Sequence, residues 1–238
     1  MSRTVLASIK DRELVRDRRV QLIRAATDVF VRKGYHVATV RDIGREAGFT
    51  QGTIYNYVQS KADILYLVCD EVVTAYQAAV HRAIEGIADP AARLSAALRA
   101  IVEVMLERQE QILLLYHESH SLDAGAVRAL LARVEEFIRT FEDMLSAVAG
   151  RKGLAVAHRR LAANIVTFLP TMVALRRWDL TGRVPRAELV SGLTAFMLRG
   201  LGIIDDAARS PGRHREPSAR RHNRSTSPRS RRRQEGRP

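Results

Sequence analysis

The sequence predicts an all-α protein of about nine helices, with a small N-terminal three-helix unit ahead of a larger helical body, on three observations. Apolar residues recur with helical periodicity along most of the chain, and no alternating strand pattern stands out. Glycine and proline fall mainly between the helical stretches, where chain-breaking residues belong. The 238 residues are 46% apolar, enough to bury a substantial core.

Helices are expected at residues 16–33, 40–47, 51–57, 61–86, 90–106, 109–122, 124–149, 158–178 and 186–201. Residues 1–15 form an N-terminal arm or an extension of the first helix, made basic near that helix by Arg12, Arg16, Arg18 and Arg19. Residues 16–61 then make the small unit, 62–206 the body and 207–238 a tail rich in Arg, Ser and Pro. The tail holds no Leu, Ile, Val or aromatic residue, so it has nothing to offset its ordering entropy and is expected to be disordered.

The net charge is +13, distributed as +6 over residues 1–61, −2 over 62–206 and +9 over 207–238. An anionic partner therefore belongs at the ends of the chain rather than in its middle. Cys69 is the only cysteine, so no intrachain disulfide forms, as is usual in a reducing compartment. No basic-then-apolar leader opens the sequence, and apolar runs stop short of the roughly 20 residues a span requires. A cytoplasmic protein without membrane contact is expected.

The sharpest local signal is the run Thr39–Tyr57, TVRDIGREAGFTQGTIYNY. Thr39 followed by Asp42 is capping-box chemistry and starts a helix at Val40. Ile43 and Ala47 share its inner face, and Gly48 supplies a left-handed turn. Thr50 caps a second short helix whose Ile54 faces inward, leaving Gln51, Thr53, Tyr55, Asn56 and Tyr57 outward. Two short helices joined by a glycine turn make a helix-turn-helix. The second helix has no acidic residue. Gln and Asn pair with adenine, the Thr methyl meets thymine, and Tyr hydroxyls and Lys61 reach phosphates. The alternative for Tyr55 and Tyr57 is packing within the small unit.

With Phe30, Gly34, Thr39, Ile43, Ala47, Gly48, Gly52, Thr53, Ile54, Tyr55, Tyr57, Lys61 and Leu65 at these spacings, the chain resembles the tetracycline-repressor (TetR) family of transcriptional regulators. The resemblance implies that Gln51, Gly52, Thr53 and Tyr55 lie near bases, and that Thr39, Thr53, Tyr57 and Lys61 hold phosphates. Arg41, Thr50 and Asn56 complete the candidate DNA-binding set. Two departures stand out. Gly44 replaces the usual Ala, costing about 1 kcal/mol of helix propensity, and Phe49 replaces a smaller aliphatic residue.

Beyond residue 61 the resemblance is one of architecture. Leu161, Ile165, Phe168, Leu169, Met172 and Leu175, then Leu189, Leu193, Phe196, Met197 and Leu201, make the last two long helices apolar over most of their circumference. A helix so covered must be buried on two sides. In the family the corresponding pair forms a four-helix bundle with a two-fold mate, which assigns Leu161, Ile165, Phe168, Met172, Leu189, Leu193 and Phe196 to a homodimer interface. Ser191, Gly192, Thr194 and Ala195 would allow close approach there. A monomeric core is the alternative.

Leu113, Tyr116, His117 and His120 fall at i, i+3, i+4 and i+7, one face of the helix 109–122, and read either as polar lining of an effector cavity or as ordinary partly exposed residues. Metal ligation by His117, Glu118 and His120 lacks a further ligand cluster, so no metal is expected. Pro170 should kink the helix 158–178. Arg176, Arg177 and Trp178 at its end either complement the helix dipole and fill a gap, or bind an anionic effector with the indole stacked on a ring. A helix ending in Arg-Trp is similar to the TetR-like repressors that sense acyl-coenzyme A thioesters. That similarity implies an acyl-CoA or related lipid-like acid as effector. No cofactor is expected.

Catalysis finds no support: there is no Gly-rich phosphate loop, no nucleophile elbow and no Ser or Cys pairable with a base. Cys69 shares a helical face with Leu65, Val68, Val72 and Val73, which reads as packing rather than redox sensing. The combined expectation is a repressor that binds a palindromic double-stranded DNA operator as a homodimer and is released by a small molecule. The competing reading is a general basic nucleic-acid binder acting through its Arg-rich tail.

Overall fold

A computed structural model describes residues 2–152 and 158–203. The chain divides into two units, Met1–Asp205 and Asp206–Pro238, and every described residue lies in the first. The tail 207–238, expected to be disordered, lies outside the described residues. Among the described residues the structure is helical throughout, which bears out the all-α expectation.

α1 (Ser2–Lys33) runs without interruption through the segment read as an N-terminal arm. α2 (Val40–Ala47) begins at the capping box, with the Thr39 hydroxyl accepting from the Asp42 backbone and the Asp42 carboxylate accepting from the Thr39 backbone. It ends at Gly48, whose φ of 65° is left-handed backbone that glycine adopts without a Cβ penalty. α3 (Gln51–Tyr55) is capped by Thr50. Ile43 and Ile54 close against Leu22, Ala26 and Phe30 of α1, all buried, to form the core of the small unit.

α4 (Lys61–Ile84) starts from a second capping box, Ser60 with Asp63, and carries one buried stripe from Ile64 and Leu65 through Val68, Cys69, Val72 and Val73 to Val80. Because that stripe is continuous, α4 is common to the head and the body. α5 (Pro90–Glu107) has Asp89 as N-cap and Pro at its first position. α6 (Gln109–Glu118) passes into a 3₁₀ turn at Ser119–Ser121, and α7 (Ala124–Lys152) follows. In the body, Leu94, Leu98, Ile101, Ile112, Phe141 and Leu145 are fully buried.

The expected single helix 158–178 is broken in two places. α8 (Arg159–Phe168) ends in a 3₁₀ turn, Leu169–Thr171, because Pro170 is buried in the turn and has no N–H to continue the ladder. α9 (Met172–Leu175) and α10 (Arg177–Leu180) are then separated at Arg176, where φ is −107° and ψ 19°. α11 (Arg186–Gly200) closes the described chain and packs on α5. These breaks account for eleven α-helices among the described residues rather than about nine.

Head and body are joined by Asp70 on α4, which accepts from Arg19 of α1 at 3.2 Å and from Arg133 of α7. Arg133 also donates to Gln77 Oε1 at 2.8 Å and Thr74 Oγ1 at 3.1 Å, while Gln77 Nε2 donates to the Arg133 carbonyl at 3.2 Å.

Candidate nucleic-acid interface and ligand cavity

α3 is held from below by Ile54, which is fully buried, and at its start by Thr50, whose hydroxyl accepts the Thr53 backbone N–H at 3.2 Å and lies 2.8 Å from Thr53 Oγ1. Its other side is open: Gln51, Gly52, Tyr55 and Asn56 are exposed and Thr53 half-buried, and Thr50 and Arg41 beside them are exposed. A Cβ added at Gly52 would meet nothing nearer than Thr50 Oγ1 at 4.0 Å. No contact among the described residues therefore requires glycine there, whereas close approach of another surface would.

The remaining candidates divide. Thr39 is exposed, and its hydroxyl serves the cap, donating to Asp42 Oδ2 at 2.7 Å. Tyr57 is half-buried and packs against the core, so its ring follows the packing alternative. Lys61, expected at a phosphate, donates its ammonium to the carbonyls of Tyr35, His36 and Ala38 at 2.7, 3.0 and 2.9 Å. An ammonium has three donors, and all three are engaged in holding the loop between α1 and α2. Behind α2, Lys33 pairs with Asp42 at 2.7 Å and Arg32 with Glu46 at 2.6 Å. The Lys33 ammonium, with the Thr39 hydroxyl and N–H, holds the Asp42 carboxyl well below the usual carboxylate range.

A cavity of about 200 Å³ opens in the body among α4, α5, α6, α7, α8 and the 3₁₀ turn at Pro170. Four rings line it, Tyr76, Tyr116, Phe137 and Phe168, with Tyr76 4.4 Å from Phe137 and Tyr116 6.2 Å from Phe168 between centroids. Its polar groups are the two phenols, Asn164, Thr167 and Thr171, and no lining residue is charged. Burial pushes the Tyr76 and Tyr116 phenols up, so both stay neutral.

Of the seven expected effector residues only Tyr116 lines this cavity. α6 faces it with Ile112, Leu115 and Tyr116, one residue out of register with the expected Leu113, Tyr116, His117 and His120, and one residue is about 100° around a helix. Leu113 is half-buried and His117 exposed, while His120 lies exposed on the 3₁₀ turn after α6. Arg176, Arg177 and Trp178 also stand outside the lining, beyond the end of α9 at Arg176, and Trp178 is 71% exposed. Asn164, Thr167 and Thr171 were missed, although their i, i+3, i+7 spacing draws a polar line down an otherwise apolar stretch.

The expected dimer residues also divide. Leu161, Ile165, Phe168 and Phe196 are 58, 52, 58 and 65% exposed in the isolated protomer, as a seam awaiting a mate would be. Met172 is half-buried and Leu189 likewise, and Leu193 packs against the protomer's own core. Thr194 is buried, donating to the Val190 carbonyl at 2.7 Å, so it faces inward rather than toward a mate.

No helix among the described residues is long and apolar enough to cross a membrane. Residues 22–66 match the family of bacterial regulatory proteins called tetR, and residues 88–201 match a tetracyclin repressor-like C-terminal domain. The HTH-type transcriptional regulator HbdR of Aromatoleum sp. (strain CIB) is 34% identical over 189 residues, covering 79% of this chain and 82% of its own. A crystal structure of a tetR-family regulatory protein from Rhodococcus RHA1 superposes with a TM-score of 0.70 at 21% identity, covering 79% of this chain and 98% of that one. AibR in complex with isovaleryl coenzyme A and operator DNA superposes with a TM-score of 0.63 at 18% identity, covering 75% of this chain and 97% of that one. These last two are likenesses of fold.

Proposed function

The chain belongs to the tetR family of bacterial regulatory proteins, and from that premise we propose that it is a homodimeric transcriptional repressor that reads a palindromic operator and is released by an acyl-coenzyme A. The observation that carries the operator reading is the outer face of α3, where Gln51, Gly52, Tyr55 and Asn56 stand exposed around a glycine that nothing among the described residues demands. A short helix presenting neutral donors and acceptors, with a buried residue locking its rotation, is what direct readout in a major groove needs.

The cavity supports the effector class. At about 200 Å³ it is smaller than the roughly 300–1,000 Å³ that encloses a drug-sized ligand, so it accepts the apolar end of a larger molecule. With no cation in its lining it would strand a free carboxylate, whose burial unpaired is costly. A thioester is neutral, and phenol, hydroxyl and amide groups suffice for its carbonyl. The nucleotide portion would then remain outside the cavity. AibR, a neighbour in fold, binds isovaleryl coenzyme A.

The two sites communicate along α4. Val72 and Tyr76 line the cavity while Asp70, on the same helix, holds Arg19 of the head and Arg133 of α7, whose neighbour Val134 is also lining. An acyl group that wedges α4 from α7 would change the separation of the two reading heads. Operator and effector must then weaken each other reciprocally.

Operator duplexes selected from a random library supply the test. Replacing Thr53 and Tyr55 together with Ala should abolish specific retardation in a gel-shift titration while native mass spectrometry still shows the dimer. Unchanged affinity would overturn the operator assignment. Thermal shifts with isovaleryl-CoA and straight-chain acyl-CoAs of graded length address the effector, and the absence of any shift would remove the acyl-CoA while leaving the repressor.

A further inference from the structure

His36, Glu118 and His120 come together from two parts of the chain that have no sequence proximity. His36 stands in the loop between α1 and α2, Glu118 ends α6, and His120 follows on the 3₁₀ turn. One ligand atom from each lies within 4.8 Å of the others. His36 Nε2 is 3.4 Å from Glu118 Oε2, and the two imidazole rings are 6.4 Å apart between centroids. Glu118 Oε2 is itself buried with no hydrogen-bond partner among the described residues, although a buried carboxylate oxygen ordinarily has one. The sequence set aside ligation by His117, Glu118 and His120 for want of another ligand; folding supplies it as His36.

We propose that His36, Glu118 and His120 bind one divalent transition-metal ion of the zinc class, fastening the loop between α1 and α2 to the end of α6. Two imidazoles and one carboxylate suit zinc and its neighbours rather than magnesium or calcium, which require mainly oxygen ligands. Ligands sharing a tetrahedral zinc at about 2.0–2.2 Å stand roughly 3.3–3.6 Å apart. The His36 to Glu118 separation is already close to that value, and the exposed His120 side chain closes the remainder by a rotamer change. The His36 side chain is 71% exposed, which leaves an entry path and room for water at the fourth position.

The site is placed to affect the head. The backbone carbonyl of His36 is one of the three that Lys61 holds, so the loop is already attached to the first turn of α4. Two residues before Glu118, Tyr116 lines the cavity. A metal ion here would add a fastening between head and body to the Asp70 network and the packing of α1 on α6.

Titration of the metal-free full chain with zinc sulfate by calorimetry tests this, alongside His36→Gln and His120→Gln. Both histidines are exposed, so neither change disturbs the core, and circular dichroism checks that. The expected result is one zinc per protomer, with affinity lowered at least about 100-fold in each variant, more than an outer-shell loss costs. Hydrogen exchange across residues 34–39 should slow on adding zinc to the unaltered protein and not in His36→Gln. The tail histidines, His214 and His222, are common to all samples. Absence of zinc binding, or zinc affinity unchanged in either variant, would overturn the site.

Discussion

The ammonium of Lys61 lies 4.6 Å from the centroid of the Tyr35 ring while donating to the carbonyl of that same residue at 2.7 Å. With the His36 and Ala38 carbonyls also accepting from it, the lysine closes the loop between α1 and α2 from within. Lys61→Met keeps the apolar stem and removes the donors, so three carbonyls are deprived of a charged partner. The expected cost is about 2 kcal/mol, read as a fall in Tm of about 4–8 °C. The salt dependence of operator binding should keep its slope, since a cation that neutralises a phosphate adds about one to that slope and Lys61 is engaged elsewhere. A shallower slope with unchanged Tm would return Lys61 to the phosphates.

Gly44 stands in α2 at a position where alanine gains helix propensity. The structure gives the glycine a reason: a Cβ there would lie 3.0 Å from Ile54 Cδ1 and 3.1 Å from the Phe49 carbonyl oxygen. Ile54 is fully buried, and the Phe49 backbone is fixed by its N–H donating to the Gly44 carbonyl at 2.8 Å. The gain of about 1 kcal/mol in propensity is therefore opposed by overpacking of about 1–3 kcal/mol. Gly44→Ala should lower stability by about 1 kcal/mol in urea unfolding, and an increase in stability would show that the turn relaxes freely.

What could be read from the sequence depended on how local the physics was. The small unit was legible because caps and turns act over three or four residues: Thr39 with Asp42, Gly48 and Thr50 all stand where their local chemistry placed them. The cavity was less so, because rotating α6 by one residue exchanges Leu113 and His117 for Ile112 and Leu115, and both faces are apolar enough to pass. Pro170 announced a kink, but the break at Arg176, which takes Arg177 and Trp178 away, has no proline to signal it. Partners far apart in sequence, such as His36 with Glu118 or Asp70 with Arg133, leave no periodic trace.

Cys69 makes the alkaline limb of the stability profile informative. Burial among α4's apolar neighbours, then the nearby Asp70 charge, pushes its thiol up to about 12 from 9.0. The folded value exceeds the unfolded one, so this contribution is fully present below about pH 9 and is lost as pH rises toward 12. The buried tyrosines, also shifted upward, add the same sign of effect from their own higher range. Between about pH 9 and 10 the thiol should dominate, with a slope approaching about 1.4 kcal/mol per pH unit. Cys69→Ala should flatten urea midpoints over that interval, and an unaltered slope would assign it to other groups.

The dimer seam yields to substitutions that separate it from the core. α11 is anchored in its own protomer by Val190, Thr194, Met197 and Leu198, all buried, whereas Phe196 between them is 65% exposed. Phe196→Glu should leave the protomer folded yet place a charge in the centre of the proposed seam, where burial of an unpaired carboxylate is prohibitive. Native mass spectrometry should show monomer, and operator affinity should fall by about 100-fold or more because the two half-sites are no longer engaged together. Leu193→Ala supplies the contrast, since Leu193 packs against the protomer's core: it should lower Tm through a cost of about 2 kcal/mol while the dimer persists. Trp178→Ala, altering a side chain 71% exposed on a helix outside the seam, should change neither. If Phe196→Glu remained dimeric while Leu193→Ala dissociated, the seam would lie on the other side of α11, and the exposed row of Leu161, Ile165 and Phe168 on α8 would have to be assigned separately.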